Sequence, residues 1–332
     1  MDSLKGKLIV VVGSGSIGRR HFQNLKKLGF TNLVFLRSKK SASKEQLDFF
    51  KVHSPHFFET TKEAVTAKPY AVFIANPTSL HMENALLFAK SGAHLLIEKP
   101  LSHTTKKIDE LSAIAEKLNL TVSVGYHFRF HPQINIIKKL LAQKEIGQPY
   151  FARFYTGEYL PLWHPWEDYK TSYAGKNTLG GGALLTQSHD IDTALFLFGE
   201  PQRAVGNVSN SGTLGIDAED TADMIVNFNH NLLATFHIDY LTNPPKKTLE
   251  IFGTKGTIEW DCHTNMLALT NKQGRQSFPI KTNFERNDLF LDELRDFFKK
   301  TQGKNNSKKV ISESETIIAM IEAVKKGKKY TQ

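Results

Sequence analysis

Lys99 stands at the end of a short apolar run, in the segment Glu98-Lys99-Pro100 that follows His94-Leu95-Leu96-Ile97. Such a run predicts a buried strand, and the carboxyl end of a parallel strand lies where open α/β sheets bind their ligands. An amine at that position can exchange a proton with a carbonyl or an alcohol. Lys99 is therefore the first candidate for a catalytic residue.

A glycine pattern near the N-terminus, Gly13-x-Gly15-x-x-Gly18, follows the apolar run Leu8-Ile9-Val10-Val11-Val12. In such a pattern the first glycine permits a tight turn, the second lets the backbone approach a pyrophosphate, and the third lets helix and strand pack closely. The next helix begins here, with N–H groups directed at the anion, so Ser16 and Ile17 join the predicted cofactor contacts. With Lys99, the pattern indicates a nicotinamide-dependent oxidoreductase.

The choice of dinucleotide depends on the end of the second predicted strand. A carboxylate there would bind the ribose of NAD, whereas a basic group favours the 2′-phosphate of NADP. This chain offers Arg37, Ser38 and Lys39, and the next acidic residue is Glu45. We therefore expect NADP in preference to NAD. The alternative is a solvated basic turn that tolerates either cofactor.

A second turn, Asn76-Pro77, follows the apolar run Ala71–Ala75 and is expected at the same edge of the sheet. Asn76, Pro77 and His81 are predicted to contact the cofactor, as is Glu98. For His81, early on the following helix, a packing role is the competing interpretation.

The first half of the chain alternates short apolar runs with amphipathic segments, a pattern typical of a parallel sheet with crossover helices. Strands are predicted at Leu8–Val12, Leu33–Leu36, Ala71–Ala75, His94–Ile97 and Thr121–Val124. Helices are predicted at Ile17–Leu28, Lys44–Val52, Thr78–Lys90 and Thr104–Leu118, with Gly29 and Gly92 ending two of them. Residues 1–124 are thus predicted to form a doubly wound, dinucleotide-binding Rossmann domain.

From residue 125 onward the apolar residues alternate with polar ones, as in Ala222–Phe228 and in Ala234–Tyr240. Alternation of this kind predicts a sheet with one buried face. Further strands are expected at Tyr150–Tyr155, Thr248–Phe252 and Thr257–Trp260, and further helices at Ile134–Leu141, Ala183–Phe198, Asp288–Phe298 and Ser314–Val324, with a polar loop at Gln302–Lys309. Residues 125–332 are predicted to form an α+β domain with an open, largely antiparallel sheet.

The helix Ala183–Phe198, which follows Gly180-Gly181-Gly182, carries Thr186, His189 and Asp192 at three-residue spacing. On one continuous helix these side chains share a face, and Thr186 and Asp192 are predicted to contact the substrate beside His189. A histidine with such neighbours can orient a substrate hydroxyl or relay its proton. The competing interpretation is a histidine satisfied by packing, with Asp192 as its partner.

Three further residues are candidates for substrate contact. Arg129 suits an anionic substrate group, with a structural salt bridge as the alternative. Trp163 and Tyr173 lie in a segment rich in aromatic residues, where flat rings with polar tips suit stacking on a sugar. These rings could equally pin the loop to the sheet or to another subunit.

Taken in order, the glycine pattern, Asn76-Pro77-Thr78 with His81, Glu98-Lys99-Pro100, Phe128-Arg129-Phe130-x-Pro132 and Gly180-Gly181-Gly182 followed by His189-Asp190-Ile191-Asp192 resemble the Gfo/Idh/MocA oxidoreductases. The resemblance implies a Rossmann domain and an open-sheet domain that often mediates oligomerisation, with substrate bound between them. It also implies oxidation or reduction of a hydroxyl or keto group on a sugar, sugar acid, nucleotide sugar or cyclitol. Family members often carry an acid between the glycines and the histidine, and the corresponding residue here is Thr186.

The composition of the chain argues against several other classes of function. The net charge of +10 is spread over polar segments without the interleaved aromatics that stack bases, so a nucleic-acid partner is not expected. The single cysteine excludes an intrachain disulfide and a cysteine metal cluster, and no membrane span or signal peptide is recognised. We expect a cytoplasmic, metal-independent homo-oligomer, a dimer or a tetramer. The alternative function is a non-catalytic NADP-binding regulator or sensor of the same fold.

Overall fold

The computed structural model describes residues 1–37, 42–280 and 282–332. The strands are β1 Ile9–Val12, β2 Leu33–Leu36, β3 His56–Phe58, β4 Ala71–Ile74, β5 His94–Ile97, β6 Val122–Val124, β7 Pro149–Gly157, β8 Pro201–Ser209, β9 Thr221–Phe228, β10 Leu233–Asp239, β11 Lys246–Gly253, β12 Gly256–Asp261, β13 Met266–Asn271, β14 Gly274–Ser277 and β15 Tyr330–Thr331. The α-helices are α1 Ser16–Lys27, α2 Lys44–His53, α3 Thr61–Thr66, α4 His81–Lys90, α5 Ile108–Lys117, α6 Pro132–Ala142, α7 Ala183–Thr186, α8 His189–Phe198, α9 Arg286–Thr301 and α10 Ser307–Lys325. Short 3-10 helices span Asp2–Leu4, Thr78–Leu80, His127–Phe130, Leu160–Leu162, Tyr173–Gly175, Asn177–Leu179 and Asn229–Asn231.

Residue contacts divide the chain into two units. Unit 1 comprises Met1–Gly125 and Arg286–Glu315, and unit 2 comprises Tyr126–Glu285 and Thr316–Gln332. The sequence analysis assigned α9 to the second domain, but its contacts place it in unit 1. The reason lies in its apolar face: Phe297 and Phe298 are buried in the unit 1 core, and the Phe298 ring stacks on Phe30 at 4.3 Å.

The sheet of unit 1 has six parallel strands in the order β3-β2-β1-β4-β5-β6. β1, β2 and β4 are buried throughout, as expected for apolar runs covered on both faces. Val12 pairs with Leu36 on one side and with Ile74 on the other, so these strands end side by side. The predicted Rossmann architecture is confirmed.

Some helices of unit 1 begin later than the sequence analysis predicted. Helix α5 begins at Ile108 instead of Thr104, because Lys107 has φ = 66° and cannot lie inside a right-handed helix. The predicted helix Thr78–Lys90 is divided into a 3-10 turn and α4. Helix α3 was not predicted, although Thr60 and Glu63 form the capping box that marks its start.

Unit 2 contains a nine-stranded sheet in the order β14-β13-β12-β11-β7-β10-β9-β8-β15. Its pairings are antiparallel except for the parallel pair β7 and β10. The predicted alternation in β9 is confirmed, since Ala222, Met224, Val226 and Phe228 are buried. Gly253 pairs with Gly256 across the predicted tight hairpin.

Helix α10 begins at Ser307, inside the segment predicted as a polar loop. The Ser307 hydroxyl donates to the Leu120 carbonyl at 2.9 Å and accepts from the Val122 N–H at 2.8 Å. A buried serine is thus bonded to the backbone beside β6, which fixes the start of the helix.

Candidate active site

The glycine turn between β1 and α1 has the geometry that a dinucleotide requires. Gly13 has φ = 94°, and a Cβ there would lie 2.9 Å from the Ala75 carbonyl oxygen. A Cβ at Gly18 would lie 2.2 Å from the Gly13 carbonyl oxygen, whereas one at Gly15 would meet no described atom within 4 Å beyond its chain neighbours. Gly15 directly precedes α1, and Ser16 and Ile17 are the first two residues of that helix. The open space around Gly15 therefore lies at a helix N-terminus. The turn therefore fits a pyrophosphate.

The end of β2 is described only as far as Arg37. The Arg37 guanidinium lies 5.4 Å from the centroid of the Phe50 ring on α2. The predicted contacts Ser38 and Lys39 lie outside the described residues. Gln46 of α2 donates to the carbonyl oxygen and to the hydroxyl of Ser14, each at 3.0 Å, and so fixes α2 against the glycine turn.

His81 joins two loops at the carboxyl edge of the sheet. Its Nε2 lies 2.8 Å from the Asn76 carbonyl oxygen, its Nδ1 lies 2.9 Å from the Pro100 carbonyl oxygen, and it is buried. Burial lowers its pKa. Both nitrogens thus face backbone, which supports the packing role and not the predicted cofactor contact. Asn76 and Pro77 remain at the strand end where a cofactor contact was predicted.

Lys99 follows a buried carboxylate that is bonded on both oxygens. Glu98 Oε1 lies 2.6 Å from His21 Nε2, and Glu98 Oε2 accepts the Lys99 backbone N–H at 3.3 Å. A Cβ at Gly125 would lie 3.0 Å from Glu98 Oε2, so the carboxylate fills the space that this glycine leaves. Burial raises the pKa of Glu98, but the hydrogen bond and charge of His21 outweigh it and leave the pKa below its usual value.

His21 is a site residue that the sequence analysis missed. It lies on α1 with Gly18, Phe22 and Leu25, which are also buried, and the four residues have the i, i+3, i+4, i+7 spacing of a core-facing stripe. A histidine in an otherwise apolar stripe signals a buried polar partner, here Glu98. That signal was present in the sequence.

In unit 2, His189 begins α8 and is buried among aromatic rings. Its ring centroid lies 4.4 Å from that of His127, 5.1 Å from that of Phe128 and 5.8 Å from that of Tyr126. Burial and the charge of Asp192 raise the pKa of Tyr126, so this phenol stays protonated at neutral pH. The rings of Tyr126, His127 and Phe128 thus pack against the imidazole of His189.

Asp192 binds Arg129. The Arg129 Nε lies 3.0 Å from each carboxylate oxygen of Asp192, and Nη2 lies 2.6 Å from Oδ1. The Asp192 side chain is buried and that of Arg129 is largely so. This is the salt bridge that the sequence analysis gave as the alternative for Arg129, and it supports a structural role for both predicted substrate contacts.

The predicted continuous helix Ala183–Phe198 is wrong, because α7 ends at Thr186 and α8 begins at His189. The Thr186 hydroxyl donates to the Gly182 carbonyl at 2.8 Å and lies against the buried Tyr240 phenol. A serine or threonine hydroxyl that donates to a carbonyl of the preceding turn often bends a helix. Thr186 therefore does not share one helical face with His189 and Asp192.

The two predicted aromatic contacts differ in exposure. The Trp163 ring packs edge-on against Tyr240, with centroids 5.3 Å apart, which is the loop-pinning role. Tyr173 is 37% exposed. Among the described residues, no group of three or more His, Cys, Asp or Glu could hold a metal ion. No described helix is long and apolar enough to span a membrane.

The fold and the glycine turn agree with comparisons to known proteins. Residues 7–126 match the family described as "Oxidoreductase family, NAD-binding Rossmann fold", and residues 134–259 match the "GFO/IDH/MocA C-terminal domain". The chain belongs to the Gfo/Idh/MocA oxidoreductase family. It is an oxidoreductase, as the sequence resemblance indicated, and its first unit matches the NAD-binding Rossmann fold of that family.

Three relatives show the range of this family. The chain is 28% identical to myo-inositol 2-dehydrogenase of Thermotoga maritima, over 88% of this chain and 87% of that enzyme. It is 26% identical to 1,5-anhydro-D-fructose reductase of Ensifer adhaerens, with 63% of this chain and 64% of that enzyme covered. The solved structure of levoglucosan dehydrogenase with NADH and L-sorbose matches with a TM-score of 0.83 at 18% identity, covering 98% of each chain.

Proposed function

We propose that this oxidoreductase transfers a hydride between a nicotinamide cofactor and a hydroxyl- or keto-bearing carbon of a sugar, sugar acid, nucleotide sugar or cyclitol. The observation that carries the proposal is Lys99 at the carboxyl end of β5, directly after the anchored carboxylate of Glu98. The relatives named above act on a cyclitol and on sugar derivatives, which supports this substrate class.

The proton chemistry is assigned to Lys99. Bound nicotinamide supplies hydride transfer, and the substrate oxygen must lose or gain a proton in the same reaction. Lys99 exchanges that proton through its amine, which acts as a base only in its neutral form. Glu98 holds the backbone N–H of Lys99 and thereby fixes the position of the residue.

His189 is assigned the second role, that of orienting the substrate hydroxyl or taking over its proton. Its ring is held by His127 and Phe128, so it is presented in one orientation. A fixed imidazole favours reaction because it is already placed for the transition state. Tyr173, which is 37% exposed in the aromatic segment, is proposed to stack on the sugar.

For the cofactor, we propose a preference for NADP over NAD. Arg37 is the first residue after β2, and its stacking on Phe50 holds a guanidinium where a 2′-phosphate would bind. The Arg37→Ala variant should raise the Michaelis constant for NADP several-fold more than that for NAD. An unchanged ratio of the two Michaelis constants would show that Arg37 does not bind the 2′-phosphate.

We also propose that the chain forms a cytoplasmic homo-oligomer through the outer face of the unit 2 sheet. A hollow of about 510 Å³ lies on that face between β7, β8, β9 and β10, and Ile225, which lines it, is 43% exposed. An exposed apolar side chain on a broad sheet face suits contact with a second copy. Sedimentation of wild type and of Ile225→Lys tests this, and a wild-type monomer would refute it.

The test of function begins with cofactor binding and continues with a screen of sugars and cyclitols for formation of reduced nicotinamide. Lys99→Ala should bind cofactor normally and lose turnover by about 10²-fold or more, the usual contribution of a positioned acid–base group. His189→Asn should lose less, since Lys99 can still exchange the proton of the substrate oxygen. Normal cofactor binding with no turnover of any substrate would favour the alternative, a non-catalytic sensor.

A further inference from the structure

Lys247, Asp190 and Thr156 form a buried ionic cluster in unit 2, and Asp190 directly follows His189 in the sequence. Lys247 is 5% exposed, Asp190 4% and Thr156 0%. Lys247 Nζ donates to Thr156 Oγ1 at 2.9 Å and is in contact with Asp190 Oδ1. Thr156 Oγ1 in turn donates to Asp190 Oδ2 at 2.5 Å. Each member of the cluster therefore contacts the other two.

The cluster connects the sheet to the start of α8. Lys247 on β11 and Thr156 on β7 are directly paired across the sheet, and Asp190 is the second residue of α8. The other carboxylate in the same turn, Asp192, is bound to Arg129. The first turn of α8, which carries His189, is thus held by one ion pair to the sheet and by another to the His127–Phe130 turn.

Stability alone is a weak explanation for this cluster. Burying an ammonium and a carboxylate costs several kcal/mol of solvation, and apolar side chains of similar size are often as stable or more so. What an ion pair provides, and an apolar pair does not, is a fixed position and a local charge.

The charge of Lys247 reaches the surroundings of His189. Its Nζ lies 5.0 Å from the centroid of the Phe128 ring, whose centroid is 5.1 Å from that of His189. The pKa of His131, beside the same phenylalanine, is lowered to about 4 by burial and then by Lys247. The charged and titratable groups around His189 are Asp190 and Asp192 on its own helix, Tyr126, His127, Arg129 and His131 from the preceding segment, and Lys247 from β11.

We propose that Lys247 is a positioning residue for His189: with Asp190 and Thr156 it fixes the start of α8 and tunes the proton exchange of the imidazole. The inference rests on the proposed catalytic role of His189. It goes beyond that role by naming the residues that prepare His189 for it.

Opposite charge changes within the cluster give the sharpest test. Lys247→Met leaves the Asp190 carboxylate uncompensated, which favours the imidazolium form of His189, whereas Asp190→Asn leaves the ammonium, which disfavours it. At an effective dielectric constant of about 20 and a separation of roughly 10 Å, each change should move the titration of His189 by about one pH unit. The first variant should move it upward and the second downward.

The measurement is a proton NMR titration of the His189 ring, with the signal assigned by its loss in His189→Asn. Turnover should fall about tenfold in Lys247→Met while the dissociation constant of the cofactor is unchanged. Thr156→Val, which loses the hydroxyl, should also lower turnover, and Thr156→Ser should restore most of it. Glu259→Gln, in the exposed cross-strand pair with Arg275, is the matched control and should change neither readout.

The outcomes separate the two proposals. If His189→Asn keeps full turnover, the catalytic role of His189 is wrong, whatever the titrations show. If that variant is impaired but Lys247→Met and Asp190→Asn shift the His189 titration in the same direction or not at all, the inference about Lys247 is overturned. Should Lys247→Met fail to fold, Asp190→Asn and the Thr156 variants decide the question.

Discussion

Replacing His21 by Phe tests how much the buried His21–Glu98 pair contributes to the stability of unit 1. The Phe73 and Phe290 rings lie 5.5 and 6.3 Å from the His21 ring, so a phenylalanine fits these aromatic surroundings. Glu98, however, loses a 2.6 Å hydrogen bond while remaining buried. A charged hydrogen bond contributes about 1.5–3 kcal/mol, and stranding a buried charge costs about 3–5 kcal/mol unless it takes up a proton. We expect a loss of about 2–3 kcal/mol in the unfolding free energy of unit 1.

The three tryptophans, Trp163, Trp166 and Trp260, all lie in unit 2, so their fluorescence follows that unit alone. Denaturant unfolding should therefore be followed by circular dichroism for both units and by tryptophan fluorescence for unit 2. The double variant His21→Phe with Glu98→Gln should recover about 1–2 kcal/mol relative to the sum of the single variants, because no charge is then stranded. Additive losses would refute the view that the two side chains act as a pair.

The sign of the pH dependence follows from the lowered pKa of Glu98. In the folded protein the Glu98 carboxyl loses its proton at a lower pH than its usual pKa of 4.5 would give. Its stabilisation is therefore full above about pH 4.5 and is lost as the pH falls through the lower folded-state pKa. His21→Phe should be less sensitive than wild type to acid in that range, as read by the midpoint of unfolding.

Two further predictions follow from the geometry. Gly18→Ala should destabilise unit 1, because the new Cβ would lie 2.2 Å from a backbone oxygen, whereas Gly15→Ala should fold normally and bind cofactor more weakly; equal melting temperatures for the two variants would contradict this. The pKa of His237 is raised to about 9, chiefly by its hydrogen bond to Asp239, so its stabilisation is full below pH 6.5 and is lost as the pH rises through about 9. The melting temperatures of wild type and of His237→Asn should accordingly converge above pH 9, and a constant difference would contradict this assignment.

The sequence was most informative where one local pattern determines the structure. Apolar runs identified five strands of unit 1 to within a residue at each end, because a strand buried on both faces requires them. Strand β3 was missed because its residues are exposed or half-buried at the sheet edge and carry no such run. The sequence also could not show that α9 belongs to unit 1, since an apolar stripe on a helix does not indicate which core Phe297 and Phe298 enter.

The candidate site divides in the same way. The glycine turn could be predicted because glycine is the one residue that suits Gly13 and Gly18, as the close approaches at both positions show. The partners in the ion pairs Arg129–Asp192 and Lys247–Asp190 could not be predicted, because they lie 63 and 57 positions apart and meet only through the fold. The break between α7 and α8 also escaped prediction, since the bonds of Thr186 include one to Tyr240 on a distant segment.

The environment of Thr186 limits which side chains of this chain can exchange a proton with a substrate. The resemblance to the family implies an acid near this position, but the Thr186 hydroxyl is buried and bonded to Gly182 and Tyr240, so it is poorly placed to contact a substrate. The two nearest acids in sequence, Asp190 and Asp192, are each bound to a buried or largely buried cation. Burial keeps the Tyr240 phenol protonated, since it raises its pKa well above 10. The proposed mechanism therefore assigns proton exchange to Lys99 and to His189, whose imidazole is a common general acid and base.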